Sequence, residues 1–202
     1  MVRLLALGAV AAVLSAVAPA GAAPEETGRA EAIFQEGRSL LADGRYADAC
    51  RSFSESQALD PASGTLLALA YCQELSGLLA SAWTNYRAAA ELAQREGQPA
   101  RHDAAAGQFK GLADRLSFLT VVVPPELAKE PGLKVMRDGI ELPPAQFGTA
   151  IPVDGGTYRL EASLPERGTW TATVTINAER DKKTLVVELI APPGERSAPV
   201  LT

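Results

Sequence analysis

One histidine and two cysteines are little from which to build a catalytic or metal centre. His102 stands between Arg101 and Asp103. No nucleophile or second ligand is spaced to use it, so it reads as a surface residue. Two cysteines and one histidine do not make a zinc site. The chain has no Gly-x-Ser-x-Gly elbow, no phosphate-cradling glycine loop and no His-Glu-x-x-His pair. Gly155 and Gly156 turn a hairpin and do not open a helix, which argues against a phosphate site there. Carboxylate pairs fare no better: Glu25 and Glu26 fall in a flexible leader, and Asp138 and Asp154 in turns, where Asp bonds its own backbone. An excess of basic charge is lacking too. The net charge is −5, which argues against a nucleic-acid face. The chain is expected to be no enzyme and to need no cofactor or metal.

Long apolar runs are confined to the beginning. Arg3 supplies a positive start, Leu4 to Val17 is uncharged, and Ala20-Gly21-Ala22 offers a small-x-small cleavage site. This is the plan of a signal peptide over residues 1–22, cleaved near Ala22. The apolar core is short for a membrane anchor. No cysteine stands near the cleavage site, which argues against a lipid anchor. No later segment approaches membrane length. The expected product is exported and soluble, without a transmembrane segment, in the periplasm or at the outer surface.

What is present begins with a repeat. Gly37, Gly44, Ala49, Phe53 and Ser56 are answered 33 positions on by Ala70, Gly77, Ala82, Tyr86 and Ala89. A period in the low thirties, with small residues where helices touch, signals stacked helix pairs. Apolar spacing predicts helices over 28–41, 46–59, 65–75, 79–96 and 101–116. Gly44 and Gly77 are placed as helix stops, and Asp60-Pro61 ends the second helix.

Near Leu116 the pattern changes. β-branched and alternating segments follow: 119–124, 133–137, 140–142, 150–153, 157–163, 169–176 and 185–189. Asp138-Gly139 and Asp154-Gly155-Gly156 punctuate them as turns. Arg180, Lys182 and Lys183 read as a solvated hairpin tip. The expected fold class is α+β. A stack of about five helices over 28–116 is followed by a small antiparallel β-sandwich of about seven short strands over 118–190. Residues 191–202, with three prolines, read as a disordered tail. No linker separates Leu116 from Leu119, so the sandwich is expected to pack directly on the fifth helix.

The helical half resembles the tetratricopeptide repeat over about 30–96. Gly37, Ala49, Phe53 and Pro61 match family positions in the first repeat, and Ala70, Ala82 and Tyr86 in the second. The strand half resembles the PEGA family of small bacterial envelope domains. The carriers are Val135 to Gly139, Gly148 to Val153 and Gly156 to Ala162, with Ala150 where that family favours proline. Signal peptide, repeats and sandwich in this order resemble exported envelope proteins of high-GC bacteria. That resemblance implies an interaction protein. The family's register places Phe34, Arg38 and Leu41, then Leu67, Tyr71 and Glu74, on the concave face as a groove for a partner.

The expected function is a non-enzymatic adaptor or scaffold. The helices bind a peptide or protein partner, and the sandwich attaches to another envelope component. The alternative is a carbohydrate- or peptidoglycan-binding module in which Tyr158 and Trp170 of the sandwich face sugar rings, although their alternation turns them inward. Cys50 and Cys72 fall on successive helix pairs. In an oxidising compartment a bridge would clamp the pairs; two buried thiols fit the same positions.

Overall fold

A computed structural model describes residues 24–189, apart from Glu166. The expected signal peptide and C-terminal tail lie outside the described residues. Five helices come first: α1 (Pro24–Ala42), α2 (Tyr46–Leu59), α3 (Ser63–Leu75), α4 (Leu79–Arg95) and α5 (Pro99–Leu112), the last running into a 3-10 turn at Ala113–Arg115. Glu25 and Glu26 sit in the first turn of α1. They do not belong to a leader, because carboxylates favour a helix N-terminus. Helix α5 stops four residues before the expected 116, and the chain tightens before entering the sheet.

The repeat in the sequence becomes a repeat in packing. Ala49 and Phe53 are fully buried between the first helices, as are Ala82 and Tyr86 between the next. Gly37 permits the closest approach: a Cβ there would lie 2.8 Å from the Phe53 ring. Both α1 and α3 end in a left-handed glycine, Gly44 at φ 74° and Gly77 at φ 76°. The next amides, of Arg45 and Leu78, reach back to the carbonyls of Leu40 and Gln73 at 2.9 Å. The same closing geometry returns the chain each time.

The second half holds seven described strands: β1 (Ser117–Val122), β2 (Lys134–Arg137), β3 (Ile140–Glu141), β4 (Ala150–Val153), β5 (Gly156–Leu164), β6 (Gly168–Ile176) and β7 (Lys182–Val186). They form a three-stranded sheet in the order β4-β1-β7 and a four-stranded sheet in the order β3-β2-β5-β6. Between them lie Leu119, Val121, Val135, Leu160, Ala162 and Val187. A one-turn helix, α6 (Pro125–Ala128), and a 3-10 turn at Pro144–Gln146 stand where no element was expected. Each is opened by prolines that preset φ.

Two expectations are corrected here. The sandwich is not wholly antiparallel: β7 runs parallel to β1, with Phe118 opposite Lys182 and Val122 opposite Val186. Parallel neighbours need a long crossover, and the whole second sheet forms it. The last strand also begins at Lys182 rather than 185. Lys182 and Lys183 are no hairpin tip; they stand on an edge strand, where exposed lysines are common.

The halves are joined by directed polar contacts. No side chain of its own caps α4. Asp154, in the β4–β5 turn, does so instead, accepting from Ala80 N at 2.8 Å, Ser81 N at 3.1 Å and Ser81 Oγ at 2.5 Å. Arg115, at the end of the helical half, donates to Glu179 at 2.7 Å, and Arg180 donates to Asp114 O at 3.3 Å. Within the strand half, Ser117 Oγ, buried at the start of β1, donates to Asn177 O at 2.8 Å and accepts from Asp181 N at 3.0 Å. Gly155 leaves room for the same segment: a Cβ there would lie 2.7 Å from Ala178 Cα.

Candidate functional site

Positions 27, 31, 34, 38 and 41 of α1 alternate steps of four and three, which lines them along one stripe. Positions 64, 67, 71 and 74 of α3 do the same. The six expected groove residues lie on these stripes, but their surroundings differ. Phe34 is half-buried, with its ring centroid 5.4 Å from that of Phe53. Leu41 packs on the Ala49–Phe53–Leu69–Cys72 cluster, and Leu67 on the clusters to either side of α4. Glu74 accepts from Tyr86 Oη and from Arg115, each at 3.0 Å. Arg38 and Tyr71 stand exposed, Tyr71 at 47%. Arg38 donates to Gln35 at 3.3 Å.

One end of the stripes opens into a cleft of about 250 Å³. Thr27, Glu31 and Phe34 of α1, Gly64 and Thr65 of α3, and Arg101 of α5 line it. Helices α1, α3 and α5 thus share one concavity, which Ser56 of α2 also lines. Arg101 is fixed there by donating to Ser63 Oγ at 2.9 Å, with Glu96 3.5 Å away. Glu96 in turn accepts from Ser63 N at 3.1 Å, so it caps α3 from the end of α4. Thr27, Glu31 and Arg101 were not foreseen. The first two continue the α1 stripe toward its start. Arg101 falls one position past the 33-residue repeat of Leu67, a signal visible only if α5 is read as a third first-helix rather than as a cap.

At the other end of α3, charge ties the stack to the sandwich. Arg115 sits 3.0 Å from Glu74 and 2.7 Å from Glu179. The hydrogen bond from Arg115, with its positive charge, holds the Glu179 carboxyl below its ordinary value. Burial, and then the charge of Glu74, push the Tyr86 phenol well above its ordinary value. Tyr86 is held as a protonated donor to Glu74.

A second cleft, of about 300 Å³, lies where the halves meet. Its polar wall comes from Gln73, Asn85, Asp154 and Arg137. Asn85 donates to Gln73 at 2.8 Å, and Arg137 lies over the Tyr158 ring at 5.7 Å. Tyr158 donates its hydroxyl to Asp154 O at 2.8 Å. Tyr158 and Trp170, the candidate sugar platforms, are both half-buried against the sandwich core.

A disulfide joins Cys50 of α2 to Cys72 of α3, with Cα atoms 5.6 Å apart. His102 is partly exposed and lies 3.0 Å from Asp103. Among the described residues no group of three His, Cys, Asp or Glu is placed to hold a metal ion. Nor is any described helix long and apolar enough to cross a membrane. No protein-family model matches the chain, and neither a curated protein nor a solved structure resembles it significantly.

Proposed function

We propose that the chain is a non-enzymatic adaptor, exported to the periplasm or outer surface. In this reading the helical half is a tetratricopeptide-like stack that binds a peptide or protein segment along the stripes of α1 and α3. The sandwich, read as PEGA-like, attaches to another envelope component. The observation that carries the reading is the cleft shared by α1, α3 and α5, with Arg38 and Tyr71 exposed farther along the same stripes. An exposed aromatic and an arginine on one face are the residue types that dominate binding energy. Phe34 lines the cleft, while Leu41, Leu67 and Glu74 shape this surface from beneath. The export reading rests on residues 1–22 and on the disulfide, which persists only in an oxidising compartment.

The test is affinity capture from an envelope fraction with the tagged chain, beside an E31K/R38A/Y71A variant. All three side chains are exposed, so the variant keeps its fold. Loss of a defined partner from the variant supports the adaptor. Equal capture by both contradicts the helical face. Retention of both in the peptidoglycan pellet favours the wall-binding alternative through Tyr158 and Trp170.

A further inference from the structure

Four strand edges bound the two sheets, and three are protected. Strand β3 is two residues long. Strand β4 carries Pro152 and runs into the Asp154 cap on α4. Strand β7 carries Lys182 and Lys183. These are the usual ways of keeping an edge from pairing with another chain. Strand β6 has none of them. It is nine residues long, Gly168 to Ile176, without a charge or a proline, and it pairs only with β5. Along its outer edge, the backbone groups turned away from β5 have no partner among the described residues.

Its two faces point to the occupant. Thr169, Thr171, Thr173 and Thr175 are exposed on one side. On the other, Trp170, Ala172 and Val174 are only half-buried, whereas Leu160 and Ala162, beside them on β5, are wholly buried. Apolar surface therefore remains along this edge. We propose that β6 pairs with β6 of a second copy of this chain, antiparallel about a two-fold axis at Ala172. That register sets Thr169 against Thr175, Thr171 against Thr173, and Trp170 against Val174. Threonine pairs and aromatic–β-branched pairs are the favourable cross-strand combinations. One such threonine pair already exists within the chain, where Thr157 and Thr175 meet across β5 and β6 at 3.1 Å. The neutral edge also lets two copies of net charge −5 meet without opposing like charges. The four-stranded sheet becomes eight-stranded, and the isologous pairing closes on itself.

Sedimentation velocity of the purified chain from about 1 µM to about 1 mM tests this, since a strand-edge contact is small and its dimer weak. The expected result is a reversible monomer–dimer equilibrium. T171K/T173K, which sets lysine against lysine twice, should raise the dissociation constant at least tenfold. T171K/T173E, which sets lysine against glutamate in the same register, should restore it. Independently, an A172C variant should form an intermolecular disulfide, because position 172 faces itself, while T169C should not. A chain monomeric at about 1 mM overturns the proposal, whether because the edge stays bare or because residues 190–202 cover it. Equal weakening by both double variants, or equal crosslinking at 169 and 172, overturns it as well.

Discussion

Single residues set the tolerances of this molecule. Gly37 is defined by what it lacks, since any Cβ meets the Phe53 ring. Gly37→Ala should cost about 1–3 kcal/mol, the usual penalty of overpacking, read from urea unfolding. Phe53→Ala, which empties the same contact, should cost about 3–5 kcal/mol. Asp154 is a second such residue. Its carboxylate takes three hydrogen bonds at the start of α4. Asp154→Ala should cost about 0.5–2 kcal/mol, the range for a lost cap. Asp154→Asn should recover part of that, because its side-chain oxygen still accepts. Tyr86 adds a pH signature. Its folded-state pKa is raised above 10.0, so its contribution is intact below pH 10 and is lost as pH rises beyond it. The melting temperature should fall as pH rises above about 10, and fall less steeply in Y86F; parallel slopes would contradict the assignment.

At the scale of elements, the helices were legible because their signals are local. Apolar spacing and the stops at Gly44 and Gly77 lie within each helix, so α2 appears at its expected bounds. Asp154 read as a residue bonding its own turn, because its partners at Ala80 and Ser81 are 73 or more positions away. The direction of β7 was hidden for the same reason: strand direction depends on what the chain does between β1 and β7. Arg38 and Tyr71 emerge exposed, but sequence spacing cannot tell a stripe facing solvent from one resting on a core, and Phe34, Leu41 and Leu67 rest on cores. The disulfide ties two elements that otherwise meet through the Ala49–Phe53–Leu69 cluster. It closes a separation of 22 residues, and a loop of that size stabilises by about 3 kcal/mol. C50A/C72A should lose about that much in denaturant unfolding, and α2 and α3 amides should exchange faster than those of β5.

Over the whole molecule, the two halves meet through Asp154, Arg115 and Arg180. Glu179 belongs to this junction, and Asp181 lies beside it in the strand half. Their carboxyls are held below their ordinary values, Glu179 by the Arg115 hydrogen bond and Asp181 by the Asn177 amide. Groups with lowered folded-state pKa stabilise above their ordinary values of 4.5 and 3.8 and lose that contribution as pH falls. The melting temperature should therefore drop below about pH 4, less in E179Q than in the unaltered chain.

The most direct measurement is photocrosslinking in the cell, with a crosslinking amino acid placed at position 38 or 71, and at position 58 on the exposed side of α2 as control. The adaptor account predicts one defined adduct from 38 and 71 and none from 58. Adducts equal at all three positions, or absent from 38 and 71, would contradict it.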